Sequence, residues 1–387
     1  MVAGNTDLTE KAALMLLNGL PRIGPILCRR LLARFGGCAT RVFRASRSDL
    51  LAVQGLGKDR LEKILHWESF FDLEKELSEL ASRKLSFVSL ADPEYPEKLK
   101  QIYDPPIGFY FSGQHSVLTR PCVSIVGTRL ASPYGLKQAR KISAALARIG
   151  FTIVSGMARG IDYEAHRGAL ELGGNTLAVL GNGLDIVYPP EHFELYQTLS
   201  QEGAIISEFP LGRRADKQSF PRRNRIIAGL SEAVIVIESA YRGGSMITAN
   251  FALESGREVF ALPGRIDQPQ SQGCLKLIQE GANLFSSVEQ FLEEIRHSEA
   301  VQKIAQFNQS ELSASQLQSE EGSKANSSLS TLEKKVLACL AGKQCLKLSE
   351  IATRTGESIA QINATLIQLE LKHCLSKSRE GTYEARI

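Results

Sequence analysis

Six short apolar runs recur along the middle of this 387-residue chain, and most are separated from the next by a stretch long enough for a helix. The runs are CVSIV (122–126), FTIVS (151–155), TLAVL (176–180), AIIS (204–207), AVIVI (233–237) and VFALP (259–263). Continuous apolar runs of this length are typical of strands buried on both faces, and alternation with helices is typical of parallel sheets. The sequence therefore predicts an α/β domain with a doubly wound parallel sheet over residues 83–297.

Small polar residues and glycines follow four of these runs, in GTR (127–129), SGMARG (155–160), GNG (181–183) and PG (263–264). Ligands of open α/β sheets bind at the carboxyl ends of the strands, so this edge is where binding is expected. The first run is not followed by the G-x-G-x-x-G pattern, and the chain contains no G-x-x-x-x-G-K-[ST]. Neither ordinary dinucleotide binding nor a P-loop is therefore supported, and no cofactor is expected.

A basic segment, GRRADKQSFPRRNRI (212–226), lies between the fourth and fifth runs and contains one acid, Asp216. Its cations are Arg213, Arg214, Lys217, Arg222, Arg223 and Arg225. Because an unpaired buried charge costs several kcal/mol, we expect them to face water or an anion, together with Phe220 and Asn224. A basic loop at the edge of a parallel sheet favours a site for several phosphates. The alternative is a solvated surface loop.

Three turns at the same edge carry groups that suit an anion. Two of them, in GTRLASPYG (127–135) and SGMARG, join an arginine to a helix start with free amides, and the third, RGGS (242–245), is a glycine-rich turn into a helix. The alternative at the first and third turns is an ordinary helix cap, with Ser132 as the cap in the first. The candidate residues are Gly127, Thr128, Arg129, Arg159, Gly243, Gly244 and Ser245.

Several other side chains near this edge allow two interpretations. Asp162 and His166 lie four residues apart on one predicted helix face, a spacing that suits a metal or an acid–base pair. No third ligand is close in sequence, so a metal site is not favoured. Aromatic side chains could stack bases or could belong to the core. They are Tyr188, Phe209, Phe220 and Tyr241.

Different patterns flank the predicted sheet. Residues 1–80 have helical periodicity and two glycine-bracketed turns, GLPRIG (19–24) and QGLGKD (54–59), which suit either helix-hairpin-helix contacts to DNA phosphates or a small bundle. Residues 298–330 are rich in Ser, Gln and Glu and predict a linker. Residues 331–387 predict three helices and a hairpin around Gly381, a winged-helix-like domain. Its third helix, SIAQINATLIQLE (358–370), has no cation, so a protein-contact or structural role stays open beside DNA reading.

Overall composition restricts the environment more than the function. The net charge is only +4, so any polyanion must be bound by local clusters of cations. The seven cysteines form no C-x-x-C pair, which argues against a disulfide framework or a zinc ribbon and favours a reducing compartment. No uncharged apolar stretch approaches the length of a membrane span, so we expect a cytoplasmic protein without a membrane partner.

Six sequence blocks together resemble the DNA-processing protein A (DprA/Smf) family, in order. They are VGTRLASPYG, SGMARGIDYEAHRGAL, AVLGNGLDIVYPPEH, ISEFPLG, FPRRNRIIAGLS and GGSMITANFALESGREVFALPG. The resemblance implies an extended Rossmann-like domain that binds single-stranded DNA, an N-terminal helical (helix-hairpin-helix or SAM-like) domain and a C-terminal winged helix. It further implies a homodimer that loads the RecA recombinase during natural transformation or other recombination.

Carried over by position, the resemblance implies that Arg129 and the arginines of PRRNR bind the phosphate backbone beside Gly127 and Thr128. The chain departs from the family pattern at Thr128, where Ser is commoner, and at Leu275, where Asn is usual. With the neighbouring turns, the expected DNA-binding residues are Gly127, Thr128, Arg129, Arg159, Phe220, Arg222, Arg223, Asn224, Arg225, Gly243, Gly244 and Ser245. We expect these arginines to be exposed, so that their replacement leaves the fold intact.

The competing hypothesis is an enzyme. Rossmann-like relatives that hydrolyse nucleoside monophosphates use a P-G-G-x-G-T-x-x-E motif, and the aligned stretch here is RGGSMITAN, with Asn250 at the position of the Glu. An amide cannot act as the base or stabilise an oxocarbenium ion as a carboxylate does. The sequence therefore favours binding without catalysis.

Overall fold

We describe residues 8–298, 301–302, 304, 331–340, 346–357, 362, 365–366, 369, 375–377 and 382–385 of a computed structural model. The chain forms two compact units, Met1–Phe307 and Asn308–Ile387. The first unit contains both the predicted N-terminal helices and the predicted sheet, and the boundary between those two domains stays a prediction. Among the described residues, no helix is long and apolar enough to cross a membrane.

Short helices make up the N-terminal part of the first unit. They are α1 (Glu10–Gly19), α2 (Pro25–Arg34), α3 (Ala39–Arg44), α4 (Arg47–Leu51), α5 (Lys58–Leu65) and α6 (Leu73–Ser82). Their apolar faces enclose fully buried leucines such as Leu16, Leu31 and Leu61. Both predicted glycine turns lead into a helix, because Gly24 caps α2 and Gly57 caps α5.

A nine-stranded sheet follows these helices. Its strands are β1 (Ser86–Ser89), β2 (Gly108–Gly113), β3 (Cys122–Val126), β4 (Thr152–Ser155), β5 (Thr176–Leu180), β6 (Ala204–Ser207), β7 (Ala233–Val236), β8 (Glu258–Ala261) and β9 (Asn283–Leu284). The spatial order is β1-β2-β6-β5-β4-β3-β7-β8-β9. Strands β3 to β9 pair with one another in parallel, whereas β1 and β2 extend the sheet beside β6 in antiparallel pairing.

All six apolar runs form strands, which confirms the doubly wound parallel sheet. The first parallel strand, β3, lies in the middle, with β4 on one side and β7 on the other. The chain therefore reverses its winding between β3 and β7, and ligands of such sheets bind outside that switch point. Strands β1, β2 and β9 were not predicted from the sequence.

Helices cover both faces of the sheet. They are α7 (Glu97–Lys100), α8 (Pro133–Ile149), α9 (Ile161–Leu170), α10 (Phe193–Glu202), α11 (Ser219–Leu230), α12 (Gly244–Glu254), α13 (Gln272–Gln279) and α14 (Val288–Glu294). Helices α11, α12 and α13 pack on one face, and α8, α9 and α14 pack on the other. Helices α8 and α9 approach so closely at Gly168 that a Cβ atom there would collide with the backbone carbonyl of Arg140.

The basic segment is only partly a loop. Its residues 219–226 form the first two turns of α11, which packs against the sheet. The prediction of a continuous basic loop is therefore wrong for the PRRNR stretch. Amphipathic packing explains the difference, because Ile226, Ile227 and Leu230 are buried on the apolar side of this helix.

The C-terminal unit contains α15 (Thr331–Cys339), α16 (Leu348–Thr355) and the strands β10 (Leu346–Lys347), β11 (Leu375–Lys377) and β12 (Thr382–Ala385). The three strands form a sheet in the order β10-β12-β11. The first two predicted helices and the hairpin strands are present, and Val336, Ile351 and Leu366 are buried in its core. Most of the predicted third helix (358–370) and of the predicted linker lies outside the described residues.

Candidate nucleic-acid interface

Four of the expected site residues line one cleft at the carboxyl ends of β4 and β5. They are Arg129, Arg159, Phe220 and Arg223, and Tyr188 and Asn182 join them. We call this the sheet-edge cleft. Arg129 follows β3, Arg159 follows β4, Tyr188 follows β5, and Phe220 and Arg223 come from the start of α11. The parallel topology therefore brings together residues that lie up to 94 positions apart in the chain.

Phe220 is half-buried and contacts two other residues of this cleft. The guanidinium of exposed Arg129 lies over its ring at 5.0 Å from the centroid. Tyr188 is 36% exposed, and its ring is tilted against that of Phe220, with 5.6 Å between the ring centroids and an interplanar angle of 39°. A half-buried aromatic ring with a cation on one side and a second ring beside it can stack on a planar group and neutralise an attached anion.

The loop that carries Arg159 is held against the turn that carries Arg129. Gly160 has a φ of 75°, and a Cβ atom there would lie 2.5 Å from the carbonyl oxygen of Thr128. Met157 in the same loop also adopts a left-handed φ, 55°, which is unusual for a residue with a side chain. Arg159 donates to Glu191, and this bond raises the pKa of the Arg159 guanidinium. Both partners are exposed, so an anion in the cleft can compete for Arg159.

Arg223 forms the floor of the cleft and is buried. It donates hydrogen bonds to the carbonyl oxygens of Val179 and Gly156, the latter at 2.7 Å, and it lies 4.0 Å from the carboxylate of Asp162. Burial lowers the pKa of Arg223 to about 10, while the carboxylate of Asp162 acts to raise it, so the guanidinium stays charged at neutral pH. The expectation that Arg223 is exposed is wrong, because the end of the sheet supplies the partners that its charge needs.

A second buried cluster joins Arg222 and Arg225 to Glu208, the residue after β6. Arg225 donates to Glu208 at 2.5 Å and lies 3.2 Å from the carboxylate of Asp104, whereas Arg222 donates to the other oxygen of Glu208 at 2.9 Å. Burial acts to raise the pKa of Glu208, but the two guanidiniums outweigh this effect and lower the pKa. The side chain of Arg225 is only 4% exposed, so the expectation that it is exposed is also wrong. Arg222 is 36% exposed and remains accessible.

The glycine-rich turn before α12 contacts the PRRNR stretch through Asn224. The amide of Asn224 donates to the carbonyl oxygen of Gly244 at 3.4 Å and accepts from Arg223 at 2.9 Å. Gly244 is exposed, and a Cβ atom there would meet nothing within 4 Å. Ser245 is buried and donates to the hydroxyl of Ser239 at 2.8 Å, so its hydroxyl is directed into the protein.

The helix start after Gly127 and Thr128 already holds a carboxylate. Buried Glu238, at the end of β7, accepts from the amide of Ser132 at 2.8 Å and from its hydroxyl at 2.5 Å. Ser132 caps α8, as the alternative interpretation of this turn has it. The prediction of a phosphate on free amides at this helix start is therefore wrong, because Glu238 occupies the place of the anion. Its charge also opposes a dinucleotide pyrophosphate at the switch point between β3 and β7.

Asp162 and His166 are structural. Asp162 is buried and accepts from the amide of Gly156 at 3.2 Å, and His166 is fully buried beside the hydroxyl of Thr176 at 2.7 Å. Burial lowers the pKa of His166 to about 3, so the imidazole is neutral. Among the residues that the structure describes, no group of three His, Cys, Asp or Glu side chains could hold a metal ion.

The other candidate aromatics divide between core and surface. Phe209 is buried, and Arg222 lies over its ring at 5.1 Å. Tyr241 is 56% exposed and contacts Lys276. Sequence reasoning missed Glu191, Glu208 and Glu238, which pair with the candidate residues or fill their sites. Glu191 and Glu208 lie within two of the sequence blocks and Glu238 directly follows the run AVIVI, but their partners are distant in sequence.

Comparison with known proteins assigns the chain to a family. Residues 86–296 match the family described as DNA recombination-mediator protein A, and residues 320–377 match the DprA winged helix domain. Protein Smf of a Synechocystis strain is 35% identical over 98% of this chain and 99% of its own length. The chain belongs to the DprA/Smf family.

Solved structures of the DprA/Smf family agree with this assignment. The X-ray structure of DprA from Streptococcus pneumoniae has a TM-score of 0.65 at 34% identity, over 74% of this chain and 98% of that one. DNA processing protein A from Helicobacter pylori, described for its single-stranded DNA binding mode, has a TM-score of 0.50 at 31% identity. That match covers 54% of this chain and 95% of the Helicobacter chain. The family assignment and the winged helix predicted from the sequence are thus confirmed.

The Glu208 cluster predicts a pH-dependent loss of stability. The pKa of Glu208 is lower in the folded protein than in the unfolded chain. Its contribution to the free energy of unfolding is therefore fully present above the ordinary glutamate pKa and is lost as the pH falls through the pKa of the folded state. Removing one partner of a buried pair costs about 3–5 kcal/mol, so Glu208→Gln should lower the free energy of unfolding by about that amount at neutral pH. The difference from the parent should shrink below about pH 4.

Denaturant titrations at a series of pH values measure this difference, and Glu191→Gln is the control. Glu191 also pairs with an arginine, but both side chains are half exposed, so this variant should stay close to the parent. A Glu208→Gln difference that is the same at every pH would contradict the assignment of the charge to Glu208.

Proposed function

We propose that this chain is a single-stranded DNA-binding recombination mediator whose sheet-edge cleft holds the strand. The observation that carries the proposal is the Phe220 ring, flanked by Arg129 and Tyr188 in a cleft that Arg159 also lines. A base that stacks on Phe220 places its phosphates beside these guanidiniums. The single-stranded DNA binding described for the Helicobacter pylori relative supports the same ligand class.

The arginines and small residues of the site divide into two roles in this proposal. Arg129, Arg159, Phe220 and Arg222 contact DNA directly because their side chains are at least partly accessible. The exposed backbone at Gly244 can approach a phosphate closely. The positioning residues hold these groups in place. They are Gly127, Thr128, Arg223, Asn224, Arg225, Gly243 and Ser245.

A preference for single strands follows from the same geometry. In a duplex each base is already stacked and paired, so it cannot reach the Phe220 ring without being unstacked. Nothing in the arrangement reads base edges, so the affinity should depend little on sequence and strongly on salt. We propose binding without catalysis, and release of free base from nucleoside monophosphates would instead support the competing enzyme.

Binding of an oligothymidine to the full chain, followed by fluorescence anisotropy across a salt titration, tests the cleft. Phe220→Ala should weaken binding by roughly 5- to 150-fold, because a base–aromatic stack is worth about 1–3 kcal/mol. Arg129→Gln should flatten the log–log salt dependence by about 0.7, the value for one phosphate contact on a single strand.

The matched control is Arg148→Gln, which removes an exposed arginine from the C-terminal end of α8, whereas Arg129 precedes its N-terminal end. This variant should leave the affinity unchanged. The parent should bind the single strand more tightly than a blunt duplex at equal salt. We would abandon the sheet-edge cleft if both cleft variants kept the parent affinity and salt dependence.

We also propose that the chain loads the RecA recombinase onto exposed strands in the cytoplasm, in natural transformation or other recombination. The family description as a recombination mediator supports this role. In a mixture of RecA and a strand coated with single-strand-binding protein, the parent should shorten the lag of RecA ATP hydrolysis, and Phe220→Ala should not. An unchanged lag with the parent would argue against loading. The homodimer implied by the resemblance is a further proposal, which sedimentation of the purified chain tests.

A further inference from the structure

A second basic cleft lies in the same compact unit, where the turns before α2 and α5 meet α11. We call it the helical-turn cleft. The residues that matter here are Arg22, Gly24, Arg30, Gly55, Arg60 and Arg222. Gly24 and Gly55 belong to the two glycine-bracketed turns of the N-terminal helices, and a Cβ atom at Gly24 would meet nothing within 4 Å. The surface at Gly24 is therefore open, and four arginines line the cleft.

The charge in this cleft is not balanced. Arg30 donates to the carbonyl oxygen of Gln54 at 3.1 Å, and Arg60 donates to that of Gly55 at 2.8 Å. These acceptors are neutral, and within the described part of the chain neither arginine forms an ion pair with a carboxylate. Arg22 lies 3.6 Å from Asp59, but Asp59 also accepts from Lys63 at 2.7 Å.

The acids nearer to α11 are already occupied. Asp104, the acid that lines the cleft, lies 3.2 Å from buried Arg225. Glu208 is shared between Arg222 and Arg225. The helical-turn cleft consequently keeps a surplus of positive charge on rigid turns, which is the electrostatic property of a site for a polyanion.

Helix α11 connects the two clefts. Arg222 lines the helical-turn cleft, and the next residue, Arg223, lines the sheet-edge cleft. Successive residues of a helix point about 100° apart, so the first turns of α11 form the wall between the clefts. One helix therefore contributes side chains to both clefts.

We propose that the helical-turn cleft is a second backbone-binding subsite, which holds the continuation of the single strand bound in the sheet-edge cleft. This inference rests on the proposed function. Arg22, Arg30 and Arg60 contact successive phosphates, and the turn at Gly24, where a Cβ atom would meet nothing within 4 Å, lets the backbone approach closely. The N-terminal helices therefore lengthen the binding site without adding sequence preference.

The test compares short and long oligothymidines on the full-length chain. Single-strand-binding grooves cover about 4–16 nucleotides, so lengths of about 6 and about 20 separate one cleft from two. The variant Arg22→Gln/Arg30→Gln/Arg60→Gln should bind the long strand roughly 10- to 100-fold more weakly, with a salt slope lower by about 2, and should bind the short strand as the parent does. Arg34→Gln/Arg41→Gln/Lys75→Gln is the control, with the same loss of charge from exposed positions elsewhere on the N-terminal helices.

Each outcome separates this inference from the proposed function. If the triple variant matches the parent at both lengths while Phe220→Ala weakens both, the helical-turn cleft is not a subsite and the proposed function stands. If the triple variant loses affinity only for blunt duplex, the cleft holds duplex and the continuous-strand proposal is wrong. If the parent binds neither strand, both proposals fail. Circular dichroism and a denaturant titration confirm that the variants are folded.

Discussion

Arg223 fastens the start of α11 to the end of the sheet, and the candidate interface depends on that attachment. Its guanidinium donates to the carbonyl oxygens of Gly156 and Val179, where β4 and β5 end, and lies 4.0 Å from buried Asp162. A buried guanidinium is tolerated only when such partners compensate for the loss of water. Gly156 makes the contact possible, because a Cβ atom at that position would collide with Arg223.

The PRRNR stretch divides its cations between the interior and the surface. Arg223 and Arg225 are buried, Arg222 is partly exposed, and all three lie within one helical turn. The buried arginines and Glu208 tie α11 to the ends of β4, β5 and β6, and this fixes the position of Phe220 against Arg129. A rigid platform loses little conformational entropy when a flexible strand binds, so positioning and binding both contribute to affinity.

The sheet was predictable because six of its parallel strands coincide with continuous apolar runs, from CVSIV (122–126) to VFALP (259–263). The two antiparallel edge strands were not singled out, since SFVS and GFYFSG are short and mixed with Ser and Gly. The exposure of the arginines was mispredicted for a different reason. The acids that compensate Arg225 are Glu208 and Asp104, the latter 121 positions away, and local sequence cannot show such pairings. Glu238, whose carboxylate lies at the start of α8, was missed for the same reason, because it is 106 positions from Ser132.

In the proposed interface the accessible side chains of this edge contact the strand, and the buried arginines only support them. A crystal structure of the full chain with an oligothymidine would show which side chains touch the strand. We expect a base on the Phe220 ring, phosphates at Arg129 and Arg222, and Arg223 and Arg225 still hydrogen-bonded to Gly156 and Glu208. A phosphate bound directly to Arg225, with its ion pair to Glu208 broken, would contradict it.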